Sequence, residues 1–145
     1  MPTARDVMTA NPTTVGPDES VQTIAQLLAE QDIGSVIVCD PDGKPRGMIT
    51  DRDLAVGIMA KGRDHQTRAS ELLSGRPIVA IDAGDQVEDA LRAMKDAAVR
   101  RLPVLDGDQV VGIVSQADLA STHRDGDVGE MVAAISEAPD NTNRG

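Results

Sequence analysis

The sequence predicts an α+β protein built from two βαββα repeats that pack as a pseudo-two-fold pair. Three observations lead there. The chain repeats itself at a spacing of 65–66 residues, a period that marks paired supersecondary units. Within each repeat, apolar spacing alternates between a helical period and short runs broken by Asp-Gly turns. Of the 145 residues, 33 are Leu, Ile or Val, and none is Phe, Tyr or Trp. That aliphatic share exceeds the roughly 20% below which disorder is expected, so a core forms, and it is wholly aliphatic.

The repeat is visible residue by residue. Ala4-Arg5-Asp6-Val7-Met8 parallels Ala69-Ser70-Glu71-Leu72-Leu73, and each is followed by a proline, Pro12 and Pro77. Gly47-Met48-Ile49-Thr50 and Asp53-Leu54-Ala55 parallel Gly112-Ile113-Val114-Ser115 and Asp118-Leu119-Ala120. The repeats span 4–60 and 69–123, joined by a polar linker near 61–67.

Each element follows in order. A short helix is expected over 4–8 and again over 69–73. An extended piece follows at 13–15 and 78–81. A longer helix runs from about Glu19 to Gln31, with Val21, Ile24, Ala25 and Leu28 on one face. Its counterpart runs from about Asp85 to Ala97, with Val87, Ala90, Leu91 and Met94. Hairpins come next: 36–39 with 46–49 around Asp42-Gly43, and 102–105 with 110–114 around Asp106-Gly107. Each feeds a second helix that starts near Asp51 or Gln116. A further helix is expected over 126–137, with Val128, Met131, Val132 and Ile135 on one face, and a disordered polar tail over 138–145. One repeat alone leaves a sheet face bare, so pairing buries it and leaves two related clefts.

Composition excludes several functions. The net charge is −10, with the acidic excess spread along the chain and no basic arm. Non-specific nucleic-acid binding and adhesion to an anionic membrane both need the opposite sign. Without aromatics there is no base-stacking platform. The single cysteine, Cys39, allows no internal disulfide. It falls on an expected strand and reads as a small buried hydrophobe. No apolar stretch reaches membrane-spanning length and no signal-peptide core is present, so a cytoplasmic protein is expected. His65 and His123 lack partners at metal-ligand spacing and read as surface residues, so no metal is expected. Phosphate-loop, dinucleotide-binding and nucleophile-base patterns are missing, so no catalytic residue is assigned.

The repeat resembles the cystathionine-β-synthase (CBS) domain, here as a tandem pair or Bateman module. The resemblance rests on Met8-Thr9…Pro12, the amphipathic helices, Val99-Arg100-Arg101-Leu102-Pro103-Val104 and the twice-repeated Gly-apolar-apolar-Thr/Ser-x-x-Asp element. It covers about 115 residues. Thr3-Ala4-Arg5-Asp6-Val7-Met8, Asp32-Ile33-Gly34 and Thr50-Asp51-Arg52-Asp53 make the chain similar to stand-alone actinobacterial CBS pairs, including the mycobacterial hypoxic-response type. A redox role for Cys39 stays open in that group.

The resemblance implies a regulatory, non-enzymatic homodimer that binds an adenosine-type ligand: AMP, ADP, ATP or S-adenosylmethionine. A protein effector would receive the signal. The ligand residues it implies are Thr50, Asp53, Arg100, Arg101, Ser115 and Asp118. A hydroxyl and free amides where a strand enters a helix suit phosphate. A carboxylate can accept from both ribose hydroxyls. The Arg100–Arg101 pair offers guanidinium forks for phosphate. In related modules this pair faces the cleft whose Asp belongs to the other repeat, which groups Thr50, Asp53, Arg100 and Arg101. Repeat 1 has Gly34 and Ser35 at the matching place, so asymmetric binding is expected. An adenine ring would rest on aliphatic residues and strand backbone near 13–15 and 78–81. A ligand-free reading stands beside this one: Thr-x-x-Asp and Ser-x-x-Asp are also helix-capping boxes, and the pair could be a structural or interaction module.

Overall fold

The computed structural model describes residues 2–121. Its elements run α1 (Ala4–Val7), β1 (Thr9–Ala10), β2 (Thr14–Val15), α2 (Val21–Gln31), β3 (Ser35–Cys39), β4 (Pro45–Thr50), a π-helical segment (Asp53–Met59), α3 (Ala69–Leu73), β5 (Ile81–Asp82), α4 (Val87–Ala97), β6 (Arg101–Asp106), β7 (Gln109–Ser115) and α5 (Gln116–Ala120). This is an α+β chain with two sheets, ordered β2-β3-β4 and β1-β7-β6-β5. The expected helix at 126–137 and the tail at 138–145 lie outside the described residues.

Both βαββα repeats form as their spacing predicts. Ser20 caps α2 by accepting the Thr23 N–H at 3.2 Å. Val21, Ile24 and Leu28 bury its apolar face, while Ala25 is exposed and Leu27 packs at the core's edge. Val87, Ala90, Leu91 and Met94 of α4 are all buried. Both helices end on a left-handed residue, Asp32 at φ 53° and Ala98 at φ 55°. In each sheet a parallel pair (β2 with β3, β5 with β6) precedes an antiparallel hairpin. Both hairpins carry a register shift, between Val38 and Cys39 and between Val104 and Leu105.

The compact units do not follow the repeat boundaries. Residues 13–78 form one unit, and residues 2–12 with 79–121 form the other. Ala4 is fully buried in the core that holds Val87, Leu91, Met94, Leu102 and Val104, with Val7 and Met8 packed against it. Ala69, Leu72 and Leu73 are buried with Val21, Ile24, Val36 and Ile49. Each leading helix therefore covers the sheet of the other repeat. The physical reason is area: an aliphatic half-module with one long helix gains core by taking a second apolar helix from its neighbour.

Two local features depart from the sequence expectation. β1 is a strand, pairing antiparallel with β7 at Thr9–Ile113 and Ala10–Gly112. The helix after β4 widens to a π-helix over Asp53–Met59, with the Ala60 N–H donating to the Ala55 carbonyl at 2.8 Å. Gly57 sits at its middle, where a Cβ would lie 2.8 Å from Leu72 Cδ1. A glycine there weakens the ordinary helical register and admits α3 at close range.

Gly112 tests the β1 contact. An added methyl would overlap Met8 Sδ and lie 2.9 Å from the Thr9 carbonyl oxygen, which is held by strand pairing. Gly112→Ala is expected to cost about 1–3 kcal/mol in a urea titration read by far-UV circular dichroism. Gly16→Ala, with nothing within 4 Å of the new methyl, is expected to stay within about 0.5 kcal/mol of the parent. Equal effects at the two positions would refute the β1 packing.

Candidate functional site

The six residues singled out above fall into three places. Thr50 ends β4, opposite Ser35 of β3, and is fully buried. Its N–H donates to Asp53 Oδ2 at 2.8 Å, and the Asp53 N–H donates to Thr50 Oγ1 at 3.1 Å. Ser115 ends β7 and repeats this exchange with Asp118, at 3.0 Å and 3.1 Å. Arg101 opens β6 opposite Ser115, and the Arg100 carbonyl accepts the Gln116 N–H. Both arginines are half-buried, and among the described residues neither guanidinium has a hydrogen-bond or ion-pair partner. Thr50 and Asp53 belong to the unit of residues 13–78, and the other four to the second unit.

The reciprocal bonds are those of a capping box, so the ligand-free reading describes real contacts. The same backbone-to-carboxylate bond recurs at Asp6, Glu71, Asp85 and Asp89, none of them buried. Asp53 differs in two ways. Its side chain has no exposure, and Arg76 Nη2 donates to its Oδ1 at 3.1 Å. Burial holds the Asp53 carboxyl above its ordinary value, against the opposing pull of the Thr50 N–H, Arg76 and the Thr50 hydroxyl. An ion pair at such a site spends most of its Coulombic gain on desolvation, and removing one partner strands a charge.

Arg76 was not among the sequence candidates. It follows Gly75, whose φ is 81°. The matching residue of the other repeat is Asn11, exposed, with φ 55° and its N–H on the Val111 carbonyl. Among the described residues, Asp118 has no cationic partner. The two boxes share geometry and differ in charge environment.

Cys39 is half-buried at the end of β3, and burial with the neighbouring Asp40 pushes its thiol up. That is the setting of an unreactive thiol. His65 is exposed beside Asp64.

The CBS domain family model matches residues 4–60 and 69–124. The chain belongs to the CBS domain family. As a CBS pair it is a regulatory module. It is 37% identical over 135 residues to Hypoxic response protein 1 of Mycobacterium tuberculosis, covering 93% of this chain and 94% of that protein. It is 38% identical over 120 residues to the CBS domain-containing protein YhcV of Bacillus subtilis, covering 83% and 84%. Among solved structures, Hypoxic Response Protein I with two coordinated zinc ions matches at TM-score 0.78 and 40% identity, covering 85% of this chain and all of that one. CBSX2 in complex with AMP matches at TM-score 0.71 and 25% identity, covering 84% and 96%. Among the described residues of this CBS pair, no three His, Cys, Asp or Glu side chains gather to hold a metal. No helix among them is long and apolar enough to cross a membrane.

The raised Asp53 carboxyl fixes a sign. A folded-state value above the unfolded one adds stability at low pH that is lost as pH rises through the folded value. The stability of the parent relative to Asp53→Asn is therefore expected to increase as pH falls from neutral toward the ordinary carboxyl value of 3.8. Paired urea titrations across that range check it, and a difference that shrinks on acidification contradicts it.

Proposed function

We propose that this CBS pair senses an adenosine-type ligand, AMP, ADP, ATP or S-adenosylmethionine, and passes its state to a homodimer contact or a protein effector. Thr50, Asp53, Arg100 and Arg101 are its principal ligand residues. Ser115 and Asp118 form a second, weaker set. The reading assigns no catalytic residue.

The observation that carries it is the buried Thr50–Asp53 turn, where a hydroxyl, backbone amides and a desolvated carboxylate meet. A phosphate oxygen can accept from the hydroxyl, and a ribose diol can donate to the carboxylate. Arg100 and Arg101 support it as half-buried guanidiniums with no partner among the described residues, which a phosphate would satisfy. The AMP complex of the similar CBSX2 supports the ligand class. A ligand shifts such a module only by its differential affinity for two states.

The second reading is an interaction module without a ligand. It is favoured by the reciprocal capping bonds, which satisfy Thr50, Asp53, Ser115 and Asp118 unaided.

Thermal melts separate the two. The chain has no Phe, Tyr or Trp, so the signal is far-UV circular dichroism. A ligand at 100 times its dissociation constant adds about 2.7 kcal/mol, which raises the midpoint by roughly 5–10 °C. The sensor reading expects that rise with one adenosine ligand, lost in Asp53→Ala and reduced in Arg101→Ala. No rise with AMP, ADP, ATP or S-adenosylmethionine sinks it and leaves the capping reading.

A further inference from the structure

The carboxylate that a ribose would need is already in use. Asp53 Oδ2 accepts from the Thr50 N–H, and Oδ1 accepts from Arg76. The two partners of the ion pair are unequally placed: the Asp53 side chain is wholly buried, whereas that of Arg76 is 28% exposed. Arg76 therefore forms the pair's solvent side, and a diol arriving from that side meets it before Oδ1. Thr50 is fixed by strand pairing, so its N–H remains on Oδ2.

We infer that Arg76 is a latch on the Asp53 site that selects 5′-phosphorylated adenosine ligands, an inference that rests on the ligand reading above. In the empty protein its guanidinium neutralises the buried carboxylate. When a ribose donates both hydroxyls to Asp53, Arg76 leaves and takes the ligand's phosphate, one sugar ring away. Arg76 then keeps an anion, and Asp53 exchanges its cation for two hydroxyl donors. Three further observations fit this exchange. The described contact is a single N–H···O bond rather than a bidentate fork, so the guanidinium keeps donors for a second acceptor. The side chain sits on residues 74–80, which carry no helix or strand, just after the left-handed Gly75. The residue that the repeat aligns with Arg76 is the uncharged, exposed Asn11, so that position of the other repeat carries no latch.

The chemistry narrows the ligand class. Adenosine offers the diol and leaves Arg76 without an anion. S-adenosylmethionine offers the diol with a sulfonium in place of the phosphate. AMP, ADP and ATP satisfy both partners.

Calorimetric titration of the full chain with AMP and with adenosine tests this, on the parent, Arg76→Gln and the control Asn11→Ala. The parent and Asn11→Ala are expected to prefer AMP by at least tenfold. In Arg76→Gln, AMP weakens tenfold or more while adenosine binds as well or better, so the preference collapses. An unchanged preference in Arg76→Gln overturns the latch and leaves the ligand reading standing. No binding of either probe to the parent or to Arg76→Gln overturns both. A measurement on the parent stands beside the variants should Arg76→Gln fold poorly. The Arg76 Nε–H resonance, assigned by nuclear magnetic resonance with Arg76→Lys as its reference, is expected to move with AMP and to move differently with adenosine. AMP binding that leaves this resonance in place overturns the latch.

Discussion

Each sheet of this protein must be covered by aliphatic side chains alone, and each repeat is short of them. A domain of about 60 residues buries only some 60% of the surface its unfolded chain exposes. The leading helices answer that shortage. Ala4, Val7 and Met8 complete one core, and Ala69, Leu72 and Leu73 complete the other. Neither core contains an aromatic ring, so both rely on branched aliphatic residues such as Val36, Val38, Leu102 and Val104, all essentially inaccessible. Close approach of backbone substitutes for bulk, as at Gly57 against Leu72 and Gly112 against Met8.

The polar features follow from the same arrangement. A strand that ends inside a packed unit must hand its last amide to a partner, and the carboxylate three residues on supplies it at both Thr50 and Ser115. Where α3 packs tightly, the residues after it reach Asp53, and Arg76 compensates a charge that burial would otherwise disfavour. Where β1 runs along the edge of β7 instead, Asn11 stays at the surface and Asp118 has no cationic partner among the described residues. The departure of the two boxes from symmetry thus begins in the segments that lead into the repeats. The Gly34-Ser35 and Arg100-Arg101 difference adds a second departure in sequence.

Most of the architecture was legible because it is written in local chemistry. The spacing of Val87, Ala90, Leu91 and Met94 is a helix face wherever it occurs, and Asp42-Gly43 and Asp106-Gly107 are turns on their own terms. Thr50 with Asp53 and Ser115 with Asp118 were legible for the same reason, as residues three apart at the entry to a helix. The rest depends on contacts far apart in sequence. Nothing in Ala4–Met8 states which sheet it will cover. The π-helix over 53–59 and the close approach of Leu72 to Gly57 are announced by no pattern within those residues. Arg76 lies 23 residues beyond Asp53, and its direction follows from one left-handed residue at position 75. The signal available was the repeat alignment itself, which sets the cationic Arg76 against the neutral Asn11.

The exchange of leading segments also constrains how such a chain can change over generations. Residues 2–12 complete the unit of 79–121, so the beginning of the chain is structurally part of its second half. A loss that removed 4–60 as a block would strip one sheet of its covering helix and leave another helix without a sheet. Viable descent therefore runs through the whole tandem, or through cuts placed near residues 12 and 78 rather than at the boundaries that the internal repeat suggests.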